Sequence, residues 1–139
     1  MKALLVAIGN PLRGDDAVAD ATLELILPSP GLETLSLTQL TPELSAQIAT
    51  YDLVVFVDAD LLAQEVTLAP VEPTPPPPSL THISTPEEVL ALARSLYAFT
   101  GRALACRVPI TSLAPGEPLT PRARHSAAQA AVLLRQALG

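Results

Sequence analysis

Asp15, Asp16, Asp58 and His82 are the side chains of this chain whose types and spacing permit chemistry. The adjacent carboxylates follow the turn Gly9-Asn10-Pro11, Asp58 closes the apolar run Leu53-Val54-Val55-Phe56-Val57, and His82 stands shortly ahead of a helix start at Thr85-Pro86. Two carboxylates and an imidazole with open positions left over suit a first-row divalent metal, which residue types define only as a class. Each member also has a purely structural use: helix cap, hydrogen-bonded strand end, or surface histidine. Of the acidic pair, Asp15 is expected to cap a helix and Asp16 to act as the ligand. Asp60 shares the face of Asp58 by the period of two and can take its place. His125, among Arg122, Arg124 and Ser126, reads as solvated and is left out of the site.

Residues so far apart in sequence need rigid supports that converge on one edge. Ala3 to Ile8 is an unbroken apolar run, as a strand buried on both faces of a parallel sheet requires. Asp15 or Asp16 then opens a helix through about Leu27, stopped by Pro28-Ser29-Pro30-Gly31. Glu33 to Leu37 is a short strand, and Thr41-Pro42 reads as N-cap and first helical residue of a helix to about Thr50. Leu53 to Asp58 repeats the design of the first strand. Glu65 to Leu68 is a short edge strand. Pro70 to Ser79 holds six of the fifteen prolines, which forbid helix and ladder alike and make it a loop within the domain. Thr85-Pro86-Glu87-Glu88 supplies an N-cap, a first-position proline and a capping-box glutamate for a helix ended at Gly101. Ala103 to Ile110 is a further strand, and Thr120-Pro121 begins a last helix to Leu138. This order predicts a three-layer α/β/α fold with a mostly parallel, five-stranded twisted sheet. In such sheets ligands bind beyond the carboxyl ends of the strands, where the acidic residues fall.

At 139 residues and 49% hydrophobic, residues 1–139 are expected to form one domain with one core. A net charge of −6 with Lys2 as the only lysine offers no basic stripe for nucleic acid, whereas it suits a cation or a protein partner. Cys106 has no partner for an internal disulfide and reads as a small buried hydrophobe in its strand. The first apolar run is too short for a signal segment, and no run is long enough to span a membrane, so a soluble cytoplasmic protein is expected.

Other mechanisms fail on specific residues. Gly9 and Gly14 have phosphate-loop spacing, but Asp15 stands where a lysine must neutralise phosphate. An acidic pair plus Asp58 also fits a receiver domain, which needs a lysine after its fifth strand, and none is there. No Gly-x-Ser-x-Gly elbow exists for a serine hydrolase.

Gly9-Asn10-Pro11-Leu12-Arg13-Gly14-Asp15-Asp16, then Val57-Asp58-Ala59, then His82 with Thr85-Pro86-Glu87 behind it, resemble the hydrogenase maturation proteases over nearly the whole chain. The resemblance implies a phosphorylase/hydrolase-like fold and an aspartic-type, nickel-dependent endopeptidase that trims a C-terminal peptide from the precursor large subunit of a nickel-iron hydrogenase. It implies Asp16, Asp58 and His82 as nickel contacts, with Asp16 or Asp58 as general base. Nickel would arrive on the precursor and need not be a resident cofactor. The expected partner is that precursor, with no nucleic acid and no membrane, and the expected form is a monomer. Thr38-Gln39-Leu40-Thr41-Pro42-Glu43-Leu44 looks most like members serving bidirectional, NAD(P)-linked hydrogenases. Relatives usually carry Gly-x-Gly after the acidic pair; Ala17 and Ala19 stand there, so this loop must keep ordinary helical angles. The alternative is a non-catalytic relative of the same fold that binds metal or docks on the large subunit without cleaving it.

Overall fold

The computed structural model describes residues 1–27, 29–77 and 83–139. Five strands form one sheet: β1 (Ala3–Ile8), β2 (Leu32–Leu37), β3 (Leu53–Asp60), β4 (Thr67–Pro70) and β5 (Arg102–Pro109). Four helices accompany them: α1 (Val18–Ile26), α2 (Leu44–Ile48), α3 (Pro86–Tyr97) and α4 (Pro121–Leu138). The sheet order is β2-β1-β3-β5-β4, parallel throughout except for the antiparallel edge strand β4.

Because strand side chains alternate faces, the apolar runs of β1 and β3 feed two cores at once. Leu5, Val55 and Val57 pack with Val18, Leu23, Ala127 and Leu134 of α1 and α4. Leu4, Val6, Val54 and Phe56 pack on the opposite face with Leu44, Ile48, Val89 and Leu90 of α2 and α3. Each such fully buried side chain contributes about 1.5–3 kcal/mol. The three-layer expectation holds, with α1 and α4 on one face and α2 and α3 on the other.

The crossover from β1 runs outward to β2, while the chain leaving β3 runs the other way, first to β4 at the far edge and then through α3 back to β5. The switch point of the sheet therefore lies between β1 and β3, the two strands that lead into Asp16 and Asp58.

Several boundaries differ from expectation for local reasons. The helix after β1 begins at Val18, preceded by a 3-10 turn over Gly14–Ala17, and has no side-chain cap. Thr41 and Pro42 start α2 through the tighter bonds Leu44 N–H to Thr41 O and Ser45 N–H to Pro42 O, so the regular helix is only Leu44–Ile48. β3 continues past Asp58 to Asp60, and the edge strand is Thr67–Pro70, not Glu65 to Leu68. α3 has the expected capping box between Thr85 and Glu88 but stops at Tyr97, with Ala98 in the left-handed region (φ 55°). Gly101 serves another purpose: a Cβ there would lie 2.5 Å from the Asp52 carbonyl oxygen, so only glycine lets β5 begin against that turn. Among the described residues, no helix is long and apolar enough to cross a membrane.

Candidate functional site

The Gly9-Asn10-Pro11 turn is built by its own polar groups. Asn10 Oδ1 accepts the Leu12 N–H (3.0 Å) and the Asn10 carbonyl accepts the Arg13 N–H (3.0 Å), an Asx-type turn that reverses the chain at the end of β1. The Asp16 carboxylate closes the turn by accepting the Asn10 N–H at 2.5 Å. Gly9 is needed because the backbone of Asp16 lies against it: a Cβ would stand 2.2 Å from the Asp16 carbonyl oxygen.

Asp15 does not cap a helix. Its carboxylate is fully buried and turns toward the far end of the chain, accepting the N–H groups of Thr111 (3.0 Å), Ser112 (3.2 Å) and Thr120 (2.8 Å). The hydroxyls of Thr111 and Thr120 add two more bonds at 3.2 and 2.8 Å. Burial alone would raise the pKa of Asp15, but the bonds from Thr120, Thr111 and Ser112 prevail and hold it below the usual carboxylate value. Asp15 N–H also donates to the Ser112 carbonyl at 2.9 Å, and the positive φ of Gly14 (+57°) brings the backbone against Ser112 and Ala114. The 3-10 turn that carries Asp16 is thus fastened to the segment between β5 and α4.

Asp58 lies in β3 in register with Ile8 of β1 and Arg107 of β5. Burial, reinforced by the negative charges of Asp16 and Asp60, pushes its carboxyl up to about 6, against opposing pulls from Arg107 and the Ala59 N–H. Asp60 is otherwise engaged: its carboxylate accepts the Leu62 N–H (2.8 Å) and lies 3.9 Å from the Arg107 guanidinium. That engagement leaves Asp58 as the carboxylate that faces Asp16. A cleft of about 290 Å³ opens over Asp58, walled by Ile8, Leu40, Ile83, Ser84 and Pro86.

The fold therefore holds Asp58 near the carboxyl end of β3 within electrostatic reach of Asp16, which sits in the 3-10 turn after β1, and directs Asp15 elsewhere. His82 lies outside the described residues. Among the described residues no group of three metal-binding side chains occurs, and the charge of Asp16 opposes the ionisation of Asp58 while that of Arg107 favours it. His125 is exposed on α4. Cys106 is buried in β5, and burial raises its thiol to about 12, which excludes it as a nucleophile at neutral pH. Sequence reasoning missed Arg107, whose signal was a lone charge inside the apolar run Ala103 to Ile110. It also missed Ser84, whose buried Oγ has no hydrogen-bond partner among the described residues and which carries no sequence signal.

The structure is of the three-layer α/β class, with Asp16 and Asp58 near the switch point of its sheet. No family model matches the chain, and no curated protein matches it. Solved structures do match. The chain is similar to the hydrogenase maturating endopeptidase HybD from E. coli, at 21% identity and TM-score 0.69, over 99% of this chain and 92% of that one. It is similar to the [NiFe] hydrogenase maturation protease HycI from Thermococcus kodakarensis KOD1, at 23% identity and TM-score 0.71, over 97% and 90% of the two chains. It is similar as well to a hydrogenase 2 maturation peptidase from a Thaumarchaeota archaeon, at 18% identity and TM-score 0.72, over 100% and 99%. The chain has the α/β fold of these hydrogenase maturation proteases, along essentially its whole length.

Proposed function

We propose that this protein is a hydrogenase maturation endopeptidase that removes a C-terminal peptide from the nickel-loaded precursor large subunit of a nickel-iron hydrogenase. The observation that supports the reading is that Asp58, near the carboxyl end of β3, feels the charge of Asp16, carried by the 3-10 turn that follows β1, in the fold that the maturation proteases share. Two carboxylates whose charges oppose each other favour a cation between them, and carboxylate with imidazole is a donor set that suits nickel as well as its neighbours in the series. In this reading the nickel belongs to the substrate, and Asp16, Asp58 and His82 contact it. Nickel polarises the scissile carbonyl or a water, and Asp16 or Asp58 takes the water's proton.

Ala17 and Ala19 do not weaken the reading. Ala17 sits at φ −79°, ψ −1° and Ala19 lies within α1, so neither position asks for glycine's freedom. The test is the intact mass of a precursor large subunit mixed with the protein, once nickel-loaded and once nickel-free. Loss of a discrete C-terminal peptide from the nickel-loaded sample alone, absent with Asp16→Ala, is the expected result. Nickel-dependent binding without cleavage would replace the protease by a docking relative.

A further inference from the structure

β2 is an edge strand with nothing paired to its outer side among the described residues. The bonds Ala3 N–H to Gly31 O and Gly9 N–H to Leu37 O turn the odd-numbered peptide groups of β2 toward β1. By the alternation of a strand, exposed Thr34 and Ser36 hold their N–H and C=O groups outward. Beside this edge a groove of about 240 Å³ runs between β2 and α2, lined by Leu35, Leu37, Leu44, Gln39 and Glu43. Gln39 also lines the cleft of about 290 Å³ that contains Asp58, so the two adjoin and offer a track from the sheet edge toward Asp58.

The lining chooses the occupant. Among the described residues, the only charged side chains along the track are Glu43 and Asp58, one near each end, and its walls are otherwise leucine, isoleucine, proline and neutral polar groups. A second observation points to a ligand: Ser84, 95% buried in the cleft wall, leaves its Oγ without any partner among the described residues although buried hydroxyls ordinarily have one. The bridge that joins Ser84 to Leu40, with Ser84 N–H donating to Leu40 O at 3.3 Å, sets this hydroxyl beside the path a chain would take.

We infer that an extended peptide segment bearing a basic side chain adds to the open edge of β2 as a further strand, with apolar side chains in the α2 groove, and passes Gln39 into the Asp58 cleft. Main-chain bonds to Thr34 and Ser36 supply affinity without regard to sequence, and the groove and Glu43 select alternating apolar and cationic side chains. The inference rests on the protease reading, in which the segment is the C-terminal stretch of the precursor.

Two variants separate the parts. Thr34→Pro deletes one outward N–H at an edge position where proline is tolerated, leaving the bonds to β1 in place. Glu43→Lys reverses the charge at an exposed position and gives up the bonds of the Glu43 carboxylate to its own backbone and to Thr41, so circular dichroism must first show the variant folded. The probes are a synthetic peptide of alternating valine and threonine carrying two lysines, and its twin with glutamates in those places. Fluorescence anisotropy should show the lysine peptide binding about tenfold tighter than its twin. Thr34→Pro should weaken it about tenfold, and Glu43→Lys should invert the preference. Nuclear magnetic resonance should show the Thr34 and Ser36 amides moving on binding. Equal affinity for both twins, or unmoved amides at 34 and 36, would overturn the track. Wild type and Thr34→Pro processing a nickel-loaded precursor with the same KM would overturn it too and leave the protease standing. Peptide binding at Thr34 with no cleavage of any precursor would support the track and overturn the protease.

Discussion

Replacing Asp15 by alanine removes the acceptor of five hydrogen bonds that fasten the first turn to the end of the chain. The two hydroxyls can turn to each other, since Thr111 Oγ1 and Thr120 Oγ1 already lie 3.2 Å apart. The N–H groups of Thr111, Ser112 and Thr120 have no such escape, and each unsatisfied buried donor costs about 1–3 kcal/mol. Thr111 is exposed and the other two are half-buried, so water relieves part of the loss, and about 3–5 kcal/mol is expected in total. That is a large share of the stability of a domain this size. Asp15→Asn should be nearly as costly, because its amide NH₂ must face N–H groups. The sign of the pH effect follows from the lowered pKa. Ionised Asp15 stabilises the protein above the unfolded carboxylate value near 4, and that contribution fades as pH falls through the folded value. Urea unfolding followed by circular dichroism at pH 7 and pH 3.5 measures both. A loss below about 1 kcal/mol for either variant at pH 7, or a gap to wild type that fails to narrow in acid, would refute the argument.

Asp58 should behave oppositely in the metal-free protein: its raised pKa of about 6 means that ionising it costs stability as pH rises from about 4 through 6, so Asp58→Asn should be the more stable protein at pH 7.5 and equal to wild type at pH 4. The gain is at most about 3 kcal/mol, reduced by the solvent that still reaches the group, and urea midpoints at the two pH values test it. Gly9→Ala should displace the Asp16 backbone, with processing falling about tenfold or more at a stability cost of about 1–3 kcal/mol; unchanged processing would mean that the close contact does not position Asp16. Cys106 should resist a thiol reagent in the native protein and react fully in denaturant, since it is buried with its thiol held near 12.

The sheet was legible because its central strands are buried on both faces, which leaves an unbroken apolar run that no local competitor disguises. The second run also pointed at Asp58, because a polar group that ends such a run lies near a strand end, whereas Asp16 reaches its place through the turn and 3-10 segment that follow β1. Asp15 was misread because its partners lie about a hundred residues away, and local capping rules see only its neighbours. The end of α3 was misread for a related reason: Gly101 looks like a helix stop, yet the Asp52 carbonyl claims it, and Ala98 takes the left-handed angle at a cost of about 1–2 kcal/mol. The edge strand was expected two residues early, at Glu65 to Leu68, and its antiparallel direction emerged only from the pairing Thr67 to Arg107.

The bond from Thr120 to Asp15 spans 105 residues, which gives the acidic crevice a birth time. At about 5–20 residues per second, the ribosome needs about 5–20 s to travel from one to the other. During that interval the first turn is already outside or near the exit, carrying Asp16 on a loop without its latch. A nascent chain therefore has the ingredients of the crevice long before it has the crevice. In the proposed reading, the crevice is complete only when the final helix docks and Thr120 reaches Asp15.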